Sequence, residues 1–123
     1  MYLHCCGLGK GYAWCSAFVK WCLTECGVDT RTITAWAATT YNYSKVVYAR
    51  GRIVQQPQPG DVFQLWDYRY ARVAHTGFYH SRVTDDIYES VEGNTNGGGS
   101  ADGDGVYRRK RSLKATYALT RWL

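Results

Sequence analysis

Proline is almost missing from this 123-residue chain: it occurs only at Pro57 and Pro59, inside one short segment. Histidine is scarce as well, at His4, His75 and His80 only. No apolar run approaches the roughly 20 residues that a membrane-spanning helix requires, so no transmembrane segment is expected. The first residues hold no charged stretch leading into a long apolar one, so no signal peptide is expected either. Acidic residues are the minority charge, 10 against 15 Lys plus Arg, for a net charge of +5. That balance favours anionic surfaces such as nucleic acid, anionic lipid or an acidic cell wall.

The hydrophobic content of 46% excludes a disordered chain and suits one compact domain, expected over 1–123. The basic residues are scattered except at Arg108-Arg109-Lys110-Arg111. On a strand that run alternates between two faces, which reads as a solvated edge strand, and no nucleic-acid partner is expected. Oligomeric state is left open.

Cysteine is present five times, at Cys5, Cys6, Cys15, Cys22 and Cys26. The odd count leaves at least one thiol unpaired. Cys15 and Cys22 lie two helical turns apart, too far to bond, so reduced thiols made in a reducing cytoplasm are expected. Adjacent Cys5 and Cys6 fit zinc-ligand spacing poorly, so no metal and no cofactor is expected. Cys22 and Cys26 are read as small apolar residues on a buried stripe.

The spacing of Cys15, Phe18, Val19, Cys22 and Cys26 predicts a helix starting near Trp14 or Cys15, with Gly27 as its C′ residue. A second helical region is expected over 34–48, ended by Gly51. Gln56-Pro57-Gln58-Pro59-Gly60-Asp61 is a turn signal. Strands are expected over 61–66, 73–81, 87–92, 105–111 and 115–122, and the Gly-rich stretch 96–105 is read as a loop. Asp102-Gly103-Asp104-Gly105 fails as a calcium loop because Val106 and Leu113 fall where oxygen ligands are needed. Helices first and strands after them give an α+β fold with helices packed on an antiparallel sheet. Trp36, Trp66, Tyr41, Tyr43, Tyr48, Tyr68 and Tyr70 either line a substrate groove or fill the core.

Cys15 stands where the N–H groups and partial positive charge of a helix start favour a thiolate and can receive an oxyanion. A thiol nucleophile needs a base that returns its proton to the leaving group, which suits histidine. His75 and His80 are five apart, so one strand points them to opposite faces. His75, flanked by Ala74 and Gly77, has room for a substrate beside it, whereas His80 reads as a solvated strand end. His4 falls in a terminal loop. Glu92 and Asn94 share one face of an extended segment, and either can accept the second imidazole N–H while the other positions the substrate or assists the oxyanion.

These residues carry a family resemblance. Trp14-Cys15-Ser16-Ala17-Phe18-Val19 with Trp21-Cys22 resembles the nucleophile helix of the CHAP domain, the cysteine- and histidine-dependent amidohydrolase/peptidase branch of the NlpC/P60 papain-like group. Cys26-Gly27-Val28 resembles that helix's end, and Gln58-Pro59-Gly60-Asp61-Val62 the turn into the first sheet strand. His75-Thr76-Gly77-Phe78 resembles the histidine strand, where Val often follows the histidine. Val91-Glu92-Gly93-Asn94-Thr95 resembles the Glu-Gly-Asn segment, and Gly105-Val106-Tyr107-Arg108-Arg109 the strand after it.

The resemblance implies Cys15 as nucleophile, His75 as base and acid, Glu92 as the orienter of His75 and Asn94 as a fourth polar group. It implies bacterial peptidoglycan as substrate. The bond cut would be the N-acetylmuramoyl-L-alanine amide or one in the peptide stem or cross-bridge, as in phage lysins and bacterial autolysins. Some family members bind calcium just before the nucleophile, but Cys5 to Tyr12 holds no acidic residue, so no calcium site is expected there. Tyr12 is placed near the oxyanion. Two alternatives stand beside this reading: a papain-like peptidase on a non-wall substrate, and a wall-binding module without catalysis.

Overall fold

A computed structural model of the chain describes residues 14–95 and 104–123. Helix α1 spans Trp14–Glu25. It ends as expected: Gly27 takes φ 83°, its N–H donates to Thr24 O, and the N–H of Val28 donates to Leu23 O. Only glycine adopts that left-handed position without cost, and the paired bonds close the last carbonyls of the helix.

The expected stripe needs correction. Trp14 through Val19 are all buried, together with Leu23, whereas Cys22 is half-buried and Cys26 is exposed. The reason is enclosure of the first half of α1. The segment 33–36 lies along it, with Ser16 Oγ donating to Thr34 O at 2.5 Å and Lys20 Nζ donating to Ile33 O at 2.7 Å. A helix enclosed on several sides is apolar all round, and only its later half shows a stripe.

The second helix also needs correction. Residues 34–48 form two short 3-10 turns, Ala37–Thr40 and Tyr43–Lys45, and then enter strand β1, Val46–Ala49. The β-branched and aromatic residues of this stretch suit a strand better than a helix. β1 turns directly into β2, Arg52–Ile53, through Arg50 (φ 50°) and Gly51 (φ 87°). Two left-handed residues in a row make the tight hairpin turn that matches strand twist. Gly51 therefore turns a hairpin rather than ending a helix.

The remaining strands are β3 (Val62–Asp67), β4 (Arg72–Arg82), β5 (Ile87–Thr95), β6 (Asp104–Ser112) and β7 (Ala118–Thr120). They fall close to the expected positions, although β7 is shorter than 115–122. Among the described residues they form one antiparallel sheet in the order β2-β1-β7-β3-β4-β5-β6. One helix packed on an antiparallel sheet is an α+β architecture.

Alternation along β3 and β4 sends neighbouring residues to opposite faces. Val62 and Phe78 join Val19, Leu23, Ile33 and Trp122 beneath α1. Phe63 and Tyr79 join Val47, Tyr48, Tyr88, Leu113 and Leu119 in a second core. The spacing of α1 from the sheet is close: a Cβ on Gly93 would collide with Phe18 Cβ and stand 2.6 Å from Phe18 Cγ.

Buried polar groups pin the connections. Thr40 Oγ1 lies 3.0 Å from Thr76 Oγ1, and Thr76 Oγ1 donates to Phe63 O at 2.8 Å. Thr76 thus has two partners inside the protein, which explains a hydroxyl where valine is frequent. Asp61 in the Pro-Gly-Asp turn is buried and grips Arg121, with Nε to Oδ1 at 2.8 Å and Nη2 to Oδ2 at 2.9 Å.

Candidate active site

Cys15 is the second residue of α1, where backbone N–H groups lack intrahelical acceptors. Its side chain packs with Ala37 and Val73, with Trp66 and Tyr117 against the same cluster. The residue is 8% exposed, so its thiol is shielded but not sealed.

His75 sits in β4 beside an irregularity. Leu65 pairs with His75 and Trp66 pairs with Val73, so Ala74 is an extra residue in the ladder. Bulges of this kind re-aim side chains and are frequent next to active sites. The Cys15 thiol is close enough to the His75 ring to raise the ring's pKa. The His75 Nε2 lies 2.7 Å from Glu92 Oε1, which leaves Nδ1 for the thiol. The ring also lies 5.8 Å from that of Phe63.

Glu92, in β5, is fully buried. Besides His75 it accepts from Ser90 Oγ, from Arg111 Nε at 2.6 Å and from Arg111 Nη2 at 2.7 Å. Arg109 Nε approaches to 3.8 Å. Burial works against a charged carboxylate here, but the bonds from Arg111, His75 and Ser90 outweigh it and hold the carboxyl at about 2. Burial likewise works against a charged imidazole. Hydrogen bonds and charge from Cys15 and Glu92 outweigh it and lift His75 to about 9. The site therefore favours a protonated imidazole between a sulfur and a carboxylate.

The structure brings Cys15, His75 and Glu92 together. Asn94 lies two residues on from Glu92, opposite Gly105 in the β5–β6 ladder, and its side chain falls outside the described residues. The same holds for the expectations on His4, Cys5, Cys6, Tyr12, the 5–12 calcium segment and the loop 96–103. His80 lies apart from the site, its Nδ1 2.9 Å from Ser81 Oγ and 3.6 Å from Glu89 Oε1. The room expected beside Gly77 is occupied: a Cβ there would stand 2.6 Å from Phe63 Cε2 and 3.0 Å from Glu92 Cγ. Gly77 admits Phe63 and Glu92 to the site rather than a substrate.

Arg111 is the site residue that sequence reading missed. The basic run does divide between faces on an edge strand, with Arg108 on Glu89 at 3.2 Å and Arg111 on Glu92. Its partner depends on the β5–β6 register, in which Tyr88 opposes Arg111 and Ser90 opposes Arg109. Among the described residues, no group of three His, Cys, Asp or Glu side chains is arranged to hold a metal ion, and no helix is long and apolar enough to cross a membrane.

The structure sets a thiol at a helix start, an imidazole on a sheet strand and a buried carboxylate behind it on one α+β scaffold. The chain belongs to the CHAP domain family, whose model matches residues 7–94, a span that includes Cys15, His75, Glu92 and Asn94. Domains of this family are in general amidohydrolases and peptidases of peptidoglycan. Arg111 lies beyond the matched span. No curated protein and no solved structure matches the chain.

Proposed function

We propose that this protein is a peptidoglycan hydrolase that cleaves an amide bond through a Cys15 thioester. The observation that carries the reading is His75 set between the Cys15 thiol and the buried Glu92 carboxylate, with the Nε2–Oε1 bond at 2.7 Å. The order of nucleophile helix, histidine strand and glutamate strand supports a papain-like arrangement of the NlpC/P60 type, with 1–123 acting as a single catalytic domain.

In this mechanism His75 holds the proton of the Cys15 thiol, and the thiolate attacks the amide carbonyl carbon. Backbone N–H groups at the start of α1 offer donors to the oxyanion. As the C–N bond breaks, His75 delivers its proton to the leaving amine nitrogen, and Cys15 keeps the acyl group as a thioester. His75 then takes a proton from water as the water oxygen attacks that thioester, and returns it to sulfur as the acid leaves. Glu92 stays ionised throughout, fixing the ring and balancing the imidazolium charge. Arg111 acts through Glu92, as a positioning residue. Asn94, by its place in the Glu-Gly-Asn segment, is assigned to the substrate or the oxyanion.

The bond is assigned to the N-acetylmuramoyl-L-alanine linkage or to the peptide stem or cross-bridge. Cys15, Cys22 and Cys26 are free thiols, which supports synthesis in a reducing compartment before the protein meets the wall. The test is digestion of purified peptidoglycan by wild type and Cys15→Ala, with fragments read by mass spectrometry. Fragments made by wild type alone are expected, and their new ends identify the bond. Absence of fragments from several wall types would sink the proposal.

A further inference from the structure

A cavity of about 700 Å³ opens beside the Cys15 cluster, lined by Arg50, Trp66, Tyr68, Lys114, Thr116 and Tyr117, with Ala115 between. Two of its walls, Trp66 and Tyr117, also pack against the cluster that contains Cys15. The cavity and the Cys15 cluster therefore share these two side chains.

Its aromatic wall is built, not incidental. Trp66 and Tyr117 stack with centroids 5.2 Å apart and planes at 24°. Tyr117 is held at both backbone polar groups: its N–H donates to Gln64 O at 2.9 Å, and its carbonyl accepts from Arg50 N at 3.0 Å. That second bond fastens the β1–β2 turn to Tyr117, and the Arg50 guanidinium sits 5.1 Å from the Tyr117 ring. Lys114 brings a second cation from the β6–β7 connection, and both cationic residues are exposed. No Asp or Glu lines the cavity. The nearby Asp86 is engaged elsewhere, by Ser112 Oγ at 2.6 Å and the Lys114 N–H at 2.8 Å.

The Arg50 guanidinium over a stacked aromatic pair, with Lys114 lining the same cavity, forms a receptor for a carboxylate attached to an apolar or weakly polar body. The guanidinium suits a carboxylate's paired oxygens and the ammonium supplies a point charge. We propose that this cavity is a subsite for a free carboxylate on the peptide stem of the substrate, next to the amide presented to Cys15. The proposal rests on the reading of Cys15 as the nucleophile of a peptidoglycan hydrolase. It goes further by making the enzyme sensitive to whether the stem carboxylates are free or amidated.

Binding tests it without turnover. The probes are a tetrapeptide stem with free carboxylates and the same stem with those carboxylates converted to amides, each titrated calorimetrically into Cys15→Ala. The free acid is expected to bind about tenfold more tightly, the scale of one charge-assisted contact. In Cys15→Ala carrying Arg50→Gln and Lys114→Gln the two peptides are expected to bind alike. Should that variant fail to fold, Lys114→Gln alone, at an exposed position, is expected to cut the preference to about threefold, half of a tenfold effect on the logarithmic scale. Equal binding by Cys15→Ala, no binding of either peptide, or a preference that survives loss of both cations would overturn the proposal. Hydrolysis of the free stem by wild type is read separately, so failure of the hydrolase reading and failure of the subsite are distinguishable.

Discussion

Arg111 grips Glu92 with two parallel hydrogen bonds, Nε to Oε2 at 2.6 Å and Nη2 to Oε1 at 2.7 Å. Such a fork fixes both the charge and the orientation of a carboxylate, which a single contact does not. Glu92 in turn holds His75 by its Nε2. Arg111→Met is therefore expected to raise the Glu92 pKa and move the acid limb of kcat/KM upward by about one unit or more. Arg111→Lys keeps the charge without the fork and is expected to restore part of that shift. A pH–rate profile checks this, and an unchanged acid limb in Arg111→Met would show that Arg111 serves packing alone.

Stability should peak in mildly acidic solution. Glu92 falls from its ordinary 4.5 to about 2 in the folded protein. The difference, 4.5 − 2, corresponds to roughly 3 kcal/mol, fully present above pH 4.5 and lost as pH falls towards 2. His75 moves the other way, from 6.5 to about 9, so its contribution is fully present below 6.5 and lost as pH rises through 9. The two shifts share one ion pair and do not add. Thermal unfolding followed between pH 2 and 10 should show a plateau from about 4.5 to 6.5 with losses on both sides.

Glu92→Gln is expected to lower kcat by about 100-fold or more, since a neutral amide neither stabilises the imidazolium nor fixes its tautomer. The alkaline side of the His75 titration should also fall below 9, because a charge that raises it is gone. NMR titration of the ring separates this electrostatic effect from simple unfolding.

Alkylation should discriminate among the described cysteines. Burial, with Cys26 and Glu25 nearby, pushes the Cys22 thiol up to about 11, so it stays protonated and unreactive near neutral pH. Cys15 stands at the start of α1 beside the His75 imidazole, where the proposed reaction needs a nucleophile. Peptide mapping after a brief pulse of a thiol-alkylating reagent is expected to find Cys15 modified well ahead of Cys22. Cys22 labelled first would contradict an activated Cys15.

Asp61 is 2% exposed and bidentate with Arg121, so Asp61→Ala strands a guanidinium that also holds Gln55 Oε1 and Gln56 O. Removing one partner of a buried pair costs about 3–5 kcal/mol, and the partial exposure of Arg121 reduces that to about 2–3 kcal/mol. Urea denaturation should register the loss through a lower midpoint.

The helix with its glycine stop and the strands carrying His75 and Glu92 were legible because each is a local signal. Helical spacing, a left-handed cap and period-two alternation are written within a dozen residues of chain. What escaped was non-local. Residues 34–48 read as a helical region, but pairing with β7 draws their end into the sheet as β1. Cys22 and Cys26 fit the stripe by spacing, yet Leu23 is the residue that packs inward there, with Ile33, Val62 and Trp122. Arg111 looked like one member of a surface run until the β5–β6 register put it on the face of Glu92, within hydrogen-bonding distance. Gly77 suggested open space, but it marks where Phe63 and Glu92 come in.

The missing methyl at Gly93 sets a mechanical tolerance. The proposed sulfur rides on α1 and its imidazole and carboxylate ride on the sheet, and these two bodies meet where Phe18 presses on bare backbone. A single hydrogen atom thus calibrates the gap between nucleophile and base. Variation at this point would detune the reaction while leaving every reacting group in place.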